Sequence, residues 1–202
     1  MKLFYKPAAC SLAPHIIARE IGQEVTLDKV DFAAQKAADG RDYGLINAKG
    51  YVPVLELDDG EFLTEAGVII QFLADSRPEA KLLPPPGTRE RYRALEWLNY
   101  LATELHKSFT PIFSADLPEE LKQLSRVNLA KKFGWLAGKL EGRDYLMGSE
   151  FSAPDAYLFT ILGWSRTAKV DLAPFPALLA YRKRVGARPA VQAAMRAEGL
   201  MG

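Results

Sequence analysis

The stretch FYKPAACSLAPH, residues 4–15, holds the only cysteine of the chain. KLFY (2–5) is a short apolar-aromatic run and reads as a strand. SLAPHIIAREIG (11–22) puts Leu12, Ile16, Ile17 and Ile21 on one helical face and ends at Gly22, a helix C-terminal signal. Ser11 is placed to serve as N-cap, and Pro14 falls in the first turn, where its missing N–H costs little. Cys10 therefore stands where a strand gives way to a helix. It is either a small buried apolar residue or a nucleophile. A helix N-terminus offers partial positive charge and N–H groups without intrahelical partners. Both favour thiolate over thiol, so the junction favours the second reading.

Working outward, EVTLDKVD (24–31) reads as a second strand that alternates through Val25 and Leu27. Residues 33–48 are polar and read as a loop with a short helix. YVPVLELDDGEFL (51–63) reads as a hairpin that turns at Asp59-Gly60. TEAGVIIQFLADSRP (64–78) is helical, with Val68, Ile69, Phe72 and Leu73 on the inner face and Pro78 as a stop. The proline-rich KLLPPPGT (81–88) marks a domain boundary. Beyond it the patterns are helical: RERYRALEWLNYLATELHKSF (89–109), residues 119–141, the largely apolar FSAPDAYLFTILGWSRTA (151–168), and PALLAYRKRVGARPAVQAAMRAEG (176–199), broken at Arg188-Pro189. The order β-α-β-(α)-β-β-α followed by helices predicts an α/β thioredoxin-like domain over 1–80, a linker over 81–87 and an all-α helical bundle domain over 88–202.

Composition narrows the function classes. Hydrophobic residues make up 49% and charged residues 25% of 202, and the formal net charge is +1, as in ordinary globular chains. RERYR (89–93) and YRKRV (181–185) are basic but lie inside helical patterns and read as solvated faces, so no nucleic-acid partner is expected. No run approaches the roughly 18 apolar residues of a membrane span. MKLFYKPAAC carries too short an apolar stretch for a signal peptide, and one cysteine cannot form an internal disulfide, so the cytoplasm is the expected compartment. His15 and His106 are the only histidines and neither belongs to a ligand cluster, so no metal is expected.

Further residues could carry chemistry. Val52-Pro53 is either an edge-strand proline or a cis turn, and a cis turn would leave the Val52 backbone to pair with an extended peptide. Glu65 opens a helix. It either complements the helix dipole or takes a ligand ammonium, while the N–H groups beside it can hold a carboxylate. Asn99, Thr103 and His106 follow i, i+4, i+7 spacing and share a face beside the apolar stripe of Leu98, Ala102, Leu105 and Phe109. His106 is either part of a solvated polar stripe or a hydrogen-bond donor able to move a proton near neutral pH. In FSAPD (151–155), Ser152 and Asp155 form a capping box.

The segments MKLFYKPAACSLAPHI, NAKGYVPVLELDDG, LTEAGVIIQFLAD, EWLNYLATELHKSFTP, APDAYLF and ARPAVQAAMRAEGL together resemble the glutathione transferases, specifically the bacterial beta class, over essentially the whole chain. The resemblance implies a homodimer that binds glutathione as co-substrate in a cleft between its domains and transfers the glutathione sulfur to small hydrophobic electrophiles. It implies that Cys10 meets the glutathione sulfur and can form a mixed disulfide with it, with His106 and Lys107 near the sulfur. By the same resemblance Val52 pairs through its backbone with the cysteinyl part, and Glu65 and Ala66 hold the γ-glutamyl end. Asn99, Thr103 and Glu104 match positions that reach glutathione, some from the partner subunit. Tyr5 and Ser11 stand nearby and are expected to be secondary. Two positions depart from the class. Gln35 stands where Lys is common and would reach the glycine carboxylate, with Lys36 beside it; Ala66 stands where Ser or Gly is common. Phe109, Ile112, Phe113, Tyr157 and Trp164 are the expected walls of an apolar electrophile pocket. Two rival functions remain: glutathione-dependent thiol–disulfide exchange or peroxide reduction through Cys10, and a non-catalytic ligand-binding role on the same fold.

Overall fold

The computed structural model describes residues 1–201. The chain divides into two compact units, Met1–Leu83 together with the C-terminal segment from Arg188, and Pro84–Ala187.

The first unit is built on a sheet of order β3-β2-β1-β4-β5. Its strands are β1 (Lys2–Tyr5), β2 (Thr26–Asp31), β3 (Lys36–Ala37), β4 (Val54–Glu56) and β5 (Phe62–Thr64). β1 runs parallel to β2 and antiparallel to β4, and the β4–β5 hairpin pairs Val54 with Thr64 and Glu56 with Phe62. Gly60 turns it at φ +88°, a conformation that glycine adopts without a Cβ clash. Helix α1 (Leu12–Glu20) is the β1–β2 crossover, α2 (Tyr43–Ile46) is a single turn, and α3 (Ala66–Asp75) follows the hairpin. α1 ends as the Gly22 signal predicts: Gly22 takes φ +66° and Gln23 N–H reaches back to the Ala18 carbonyl.

The expected pattern departs from the structure in four places here. Ser11 makes no side-chain cap on α1. Its hydroxyl accepts from Lys6 N–H and donates to Lys6 C=O, both at 3.2 Å, and so closes the loop between β1 and α1. In β2 the buried positions are Asp28 and Val30, not Val25 and Leu27. Asp28 goes inward because it accepts the Ala38 N–H at 2.6 Å and lies near Lys2. On α3 the core face is Ala66, Ile69, Ile70, Leu73 and Ala74. Val68 and Phe72 lie outward, 47% and 38% exposed. The two-residue β3 is too short to leave a pattern within 33–48.

The last helix, α10 (Pro189–Ala197), packs on α1 in this first unit. The helical pattern of the sequence had grouped it with the bundle. Arg188 forms a two-pronged ion pair with Glu20 at 2.6 and 2.9 Å, which fixes the start of α10 to the end of α1. That partner lies 168 residues away and leaves no local trace.

The second unit is helical: α4 (Arg89–Tyr100), a π-helical segment Leu101–His106, α5 (Lys107–Phe113), α6 (Glu119–Leu140), α7 (Ala153–Gly163), α8 (Ser165–Ala168) and α9 (Pro176–Gly186). Residues 89–109 therefore form one continuous run with wider i→i+5 bonding in the middle, not a uniform α-helix. Every residue of α7 from Ala153 to Leu162 is buried, so it is the central helix its apolar sequence predicts. The capping box of α7 forms as read. Ser152 N–H and hydroxyl both donate to Asp155 Oδ2, while Leu146 N–H and Tyr181 hydroxyl donate to Oδ1. Burial pushes the Asp155 carboxyl up, against the pull of those four donors.

Candidate functional site

In the first unit, Cys10 sits in the turn that leads into α1. Its carbonyl accepts from Ala13 N–H, so the residue is part of the helix start. Its thiol donates to the Val52 carbonyl at 3.2 Å. Val52 itself is buried, and the Val52–Pro53 peptide is cis. The two features that the sequence offered separately thus meet: a partly buried thiol at a helix start and the backbone just ahead of strand β4. Tyr5 is buried among apolar groups near Glu198 and Asp28, and burial first, then those carboxylates, raises its hydroxyl pKa. The Tyr5 phenol is thus held in its neutral, hydrogen-bond-donating form, and the Ser11 hydroxyl is committed to Lys6.

Glu65 caps α3 with its backbone, at φ +68°, and its carbonyl takes the Val68 and Ile69 N–H groups. A non-glycine residue in that half of the backbone map is held there by its surroundings. Its carboxylate is paired with Lys49, whose ammonium also donates to Thr64. Ala66 is the first residue of α3 and is buried. Gln35 also has positive φ, and its amide donates to the Phe32 carbonyl at 2.8 Å, an arrangement that ties the side chain to its own loop. Lys36 beside it is exposed.

In the second unit, His106 ends the π-helical segment. Its Nδ1 lies 2.9 Å from the Tyr157 hydroxyl and its ring stands edge-on to Trp164 at 4.7 Å. With the tyrosine donating, the imidazole keeps its proton on Nε2. Phe109 packs edge-on to Trp164 and stacks with Phe113. Phe109, Ile112 and Tyr157 are buried, while Phe113 is half exposed and Trp164 partly so. These aromatic residues gather at His106, with Phe109 and Tyr157 as core beneath the more open rings. Asn99, Thr103, Glu104 and Lys107 are exposed. Thr103 donates to the Asn99 carbonyl, and the Lys132 ammonium beside Glu104 holds its carboxyl below the usual carboxylate range.

The comparisons with known proteins match this geometry at both ends. Residues 9–76 match the glutathione S-transferase N-terminal domain and residues 100–189 the glutathione S-transferase C-terminal domain. The glutathione S-transferase GstA of Escherichia coli O157:H7 is 48% identical over 99% of this chain and 100% of its own. The chain belongs to the glutathione S-transferase family. A bacterial beta-class transferase structure from Sphingomonas chungbukensis superposes with a TM-score of 0.97 at 44% identity over 100% of both chains. A sphingomonad glutathione S-transferase complexed with glutathione gives 0.96 at 44% identity, over 99% of this chain and 100% of that one. This transferase shares their class.

One residue that sequence reasoning missed bears directly on the thiol of this transferase. Glu198, at the C-terminal end of α10, has a side chain with no exposed surface, as does His15. Its carboxylate takes the Ala8 N–H at 3.1 Å and faces His15 Nδ1 at 3.0 Å. Ala8 is two residues before Cys10 and has φ +61°. Glu198 and Arg188 thus fasten α10 to α1 at both ends. A terminal acid 183 residues from His15 gave no local signal of this. Its only hint was a carboxylate where the helix dipole disfavours one. We expect Glu198→Ala to lower the unfolding free energy by about 2–3 kcal/mol in urea denaturation, because it removes the carboxylate that faces the buried His15 ring and accepts the Ala8 N–H. Glu198→Gln should lower it less, and an unchanged midpoint for both would show that the contact contributes nothing.

Proposed function

We propose that this glutathione S-transferase binds glutathione through the residues around Cys10 and transfers its sulfur to small apolar electrophiles. The observation that carries the reading is the 3.2 Å approach of the Cys10 thiol to the Val52 backbone. It sets a nucleophile-forming side chain beside the strand-like backbone that would pair with the cysteinyl part of the tripeptide. The sphingomonad relative was solved in complex with glutathione, which supports the same co-substrate here. Glu65 and Ala66 are the proposed γ-glutamyl contacts, at the N-terminus of α3 where N–H groups favour a carboxylate. At the glycine end, Gln35 is tied to its loop, so the exposed Lys36 is the better source of positive charge. In the second unit His106, Lys107, Asn99, Thr103 and Glu104 are the proposed glutathione contacts. Phe113 and Trp164, over Phe109, Ile112 and Tyr157, are the proposed apolar contacts of the electrophile.

The proposed reaction has two parts. Glutathione gives up its thiol proton and is held as thiolate by the field of the α1 N-terminus and a donor such as His106. One pKa unit requires about 1.4 kcal/mol of differential interaction, within reach of a dipole and one hydrogen bond. The thiolate then attacks the electrophilic carbon, forming a C–S bond as the leaving group departs with its electron pair. Cys10 also supports monothiol exchange. Its thiolate attacks glutathione disulfide, one glutathione thiolate leaves, and a second glutathione resolves the mixed disulfide. With no second cysteine in the chain, only this monothiol route is open.

We further propose a homodimer in the cytoplasm. The outward Val68 and Phe72 on α3 are the apolar side chains that a second copy would cover. No helix among the described residues is long and apolar enough to cross a membrane.

Cys10→Ala should abolish glutathione-dependent disulfide exchange while an activated aryl halide is still conjugated within about tenfold of the parent rate, since a tenfold change needs only about 1.4 kcal/mol. Exchange that survives the substitution would contradict the assignment. Sedimentation should give two chains per particle for the parent and one for Phe72→Glu; a monomeric parent would remove the dimer.

A further inference from the structure

Lys49 is not among the residues assigned to the tripeptide, yet it ties the segment of one to the carboxylate of another. It stands in the turn between α2 and β4. The buried Asn47 fixes that turn from below. Its Oδ1 accepts the Lys49 N–H at 3.1 Å, its carbonyl accepts the Gly50 N–H at 2.9 Å, and its Nδ2 donates to the Tyr51 carbonyl at 2.7 Å. Tyr43, also buried, donates its hydroxyl to the same carbonyl at 3.1 Å. Tyr51 leads directly into Val52 and its cis bond to Pro53, where the cysteinyl contact is proposed.

From this turn the Lys49 side chain crosses to the β5–α3 junction. Its ammonium donates to Thr64 Oγ1 at 2.7 Å and to Glu65 Oε1 at 2.6 Å, and it lies 5.7 Å over the Tyr51 ring. Three anchors from two segments leave a long side chain little rotamer freedom. The pair is too open to add much stability, since the Lys49 and Glu65 side chains are 42% and 56% exposed. Its effect is to order the Glu65 carboxylate. The Glu65 backbone is held at φ +68°, and the Lys49 hydrogen bond goes to Oε1. Oε2 is then an acceptor whose position is set before a ligand arrives. An acceptor ordered in advance spares the ligand the entropy of ordering it.

We propose that Lys49 is a positioning residue for glutathione recognition: anchored on Thr64, it holds the Glu65 carboxylate in place for the γ-glutamyl ammonium. The proposal rests on the glutathione reading above, and it has a definite sign. Lys49 is itself a cation, so by charge alone its removal would tighten the binding of an ammonium. If its role is to order the acceptor, its removal weakens that binding.

The test is calorimetric titration of the full chain with S-hexylglutathione and, separately, with N-acetyl-S-hexylglutathione, which lacks the ammonium. The parent should bind the first more tightly. Lys49→Met should weaken the first about fivefold, the cost of ordering one carboxylate side chain on binding, and leave the second unchanged. In turnover of an activated aryl halide the same variant should raise KM for glutathione about fivefold and keep kcat within about twofold. In a Glu65→Gln background, Lys49→Met should add no further loss. Thr64→Val, which removes the hydroxyl anchor of the ammonium, should act in the same direction by less and decides the matter if Lys49→Met does not fold. Tighter or unchanged binding of S-hexylglutathione by the variants that fold, or an equal loss for both ligands, would overturn the role of Lys49. A parent that binds both ligands equally would instead refute the Glu65 contact, and this proposal with it. A parent that binds neither would refute the glutathione reading itself.

Discussion

The carboxylate of Glu198 is the constraint on which the thiol site rests. It is buried, and it sits at the C-terminal end of a helix, where the dipole repels a negative charge. Both circumstances are unfavourable unless donors surround it, and the donors are the Ala8 N–H and the His15 ring. Arg19 Nε in turn reaches His15 Nε2 at 3.4 Å. Ala8 could not easily hold φ +61° in a free loop, since a Cβ disfavours that half of the map. The last helix of the chain therefore fixes the backbone two residues before Cys10. This is also why the segment from Arg188 belongs with the first unit: its polar anchors, Arg188 and Glu198, have their partners there.

The second unit solves a related problem by a different device. His106 is a polar ring among Tyr157, Trp164 and Phe109, and it keeps one specific partner, the Tyr157 hydroxyl. Within the i→i+5 segment from Leu101 to His106, Leu101 and Leu105 are both buried and His106 closes the segment. Around it, Asp155 holds the start of α7 to Leu146 and Tyr181, which keeps the central helix in place beneath the cluster.

Much of this was legible in the sequence, and the misses have physical causes. The β1–α1 junction, the hairpin at Gly60 and the capping box at Ser152 were readable because each is set by neighbours within a few residues. The single cysteine and Val52-Pro53 stood out for the same reason; that they lie 3.2 Å apart did not, since that depends on the pairing of β1 with β4. Glu198, His15 and the Glu20–Arg188 pair were invisible because their partners are more than 160 residues away. Val68 and Phe72 were read as inward because apolar periodicity alone cannot tell a core face from a face left for another molecule. Asp28 broke the β2 alternation because a buried acid with a strong backbone donor can occupy an inward position that patterning reserves for apolar residues.

The central claim is that Cys10 is a working thiol, and the most direct measurement is the intact mass of the protein under non-reducing conditions after incubation with glutathione disulfide. The account predicts a single glutathione adduct per chain that dithiothreitol removes and that Cys10→Ala does not form. A chain that takes up no glutathione, or an adduct that persists in Cys10→Ala, would contradict it.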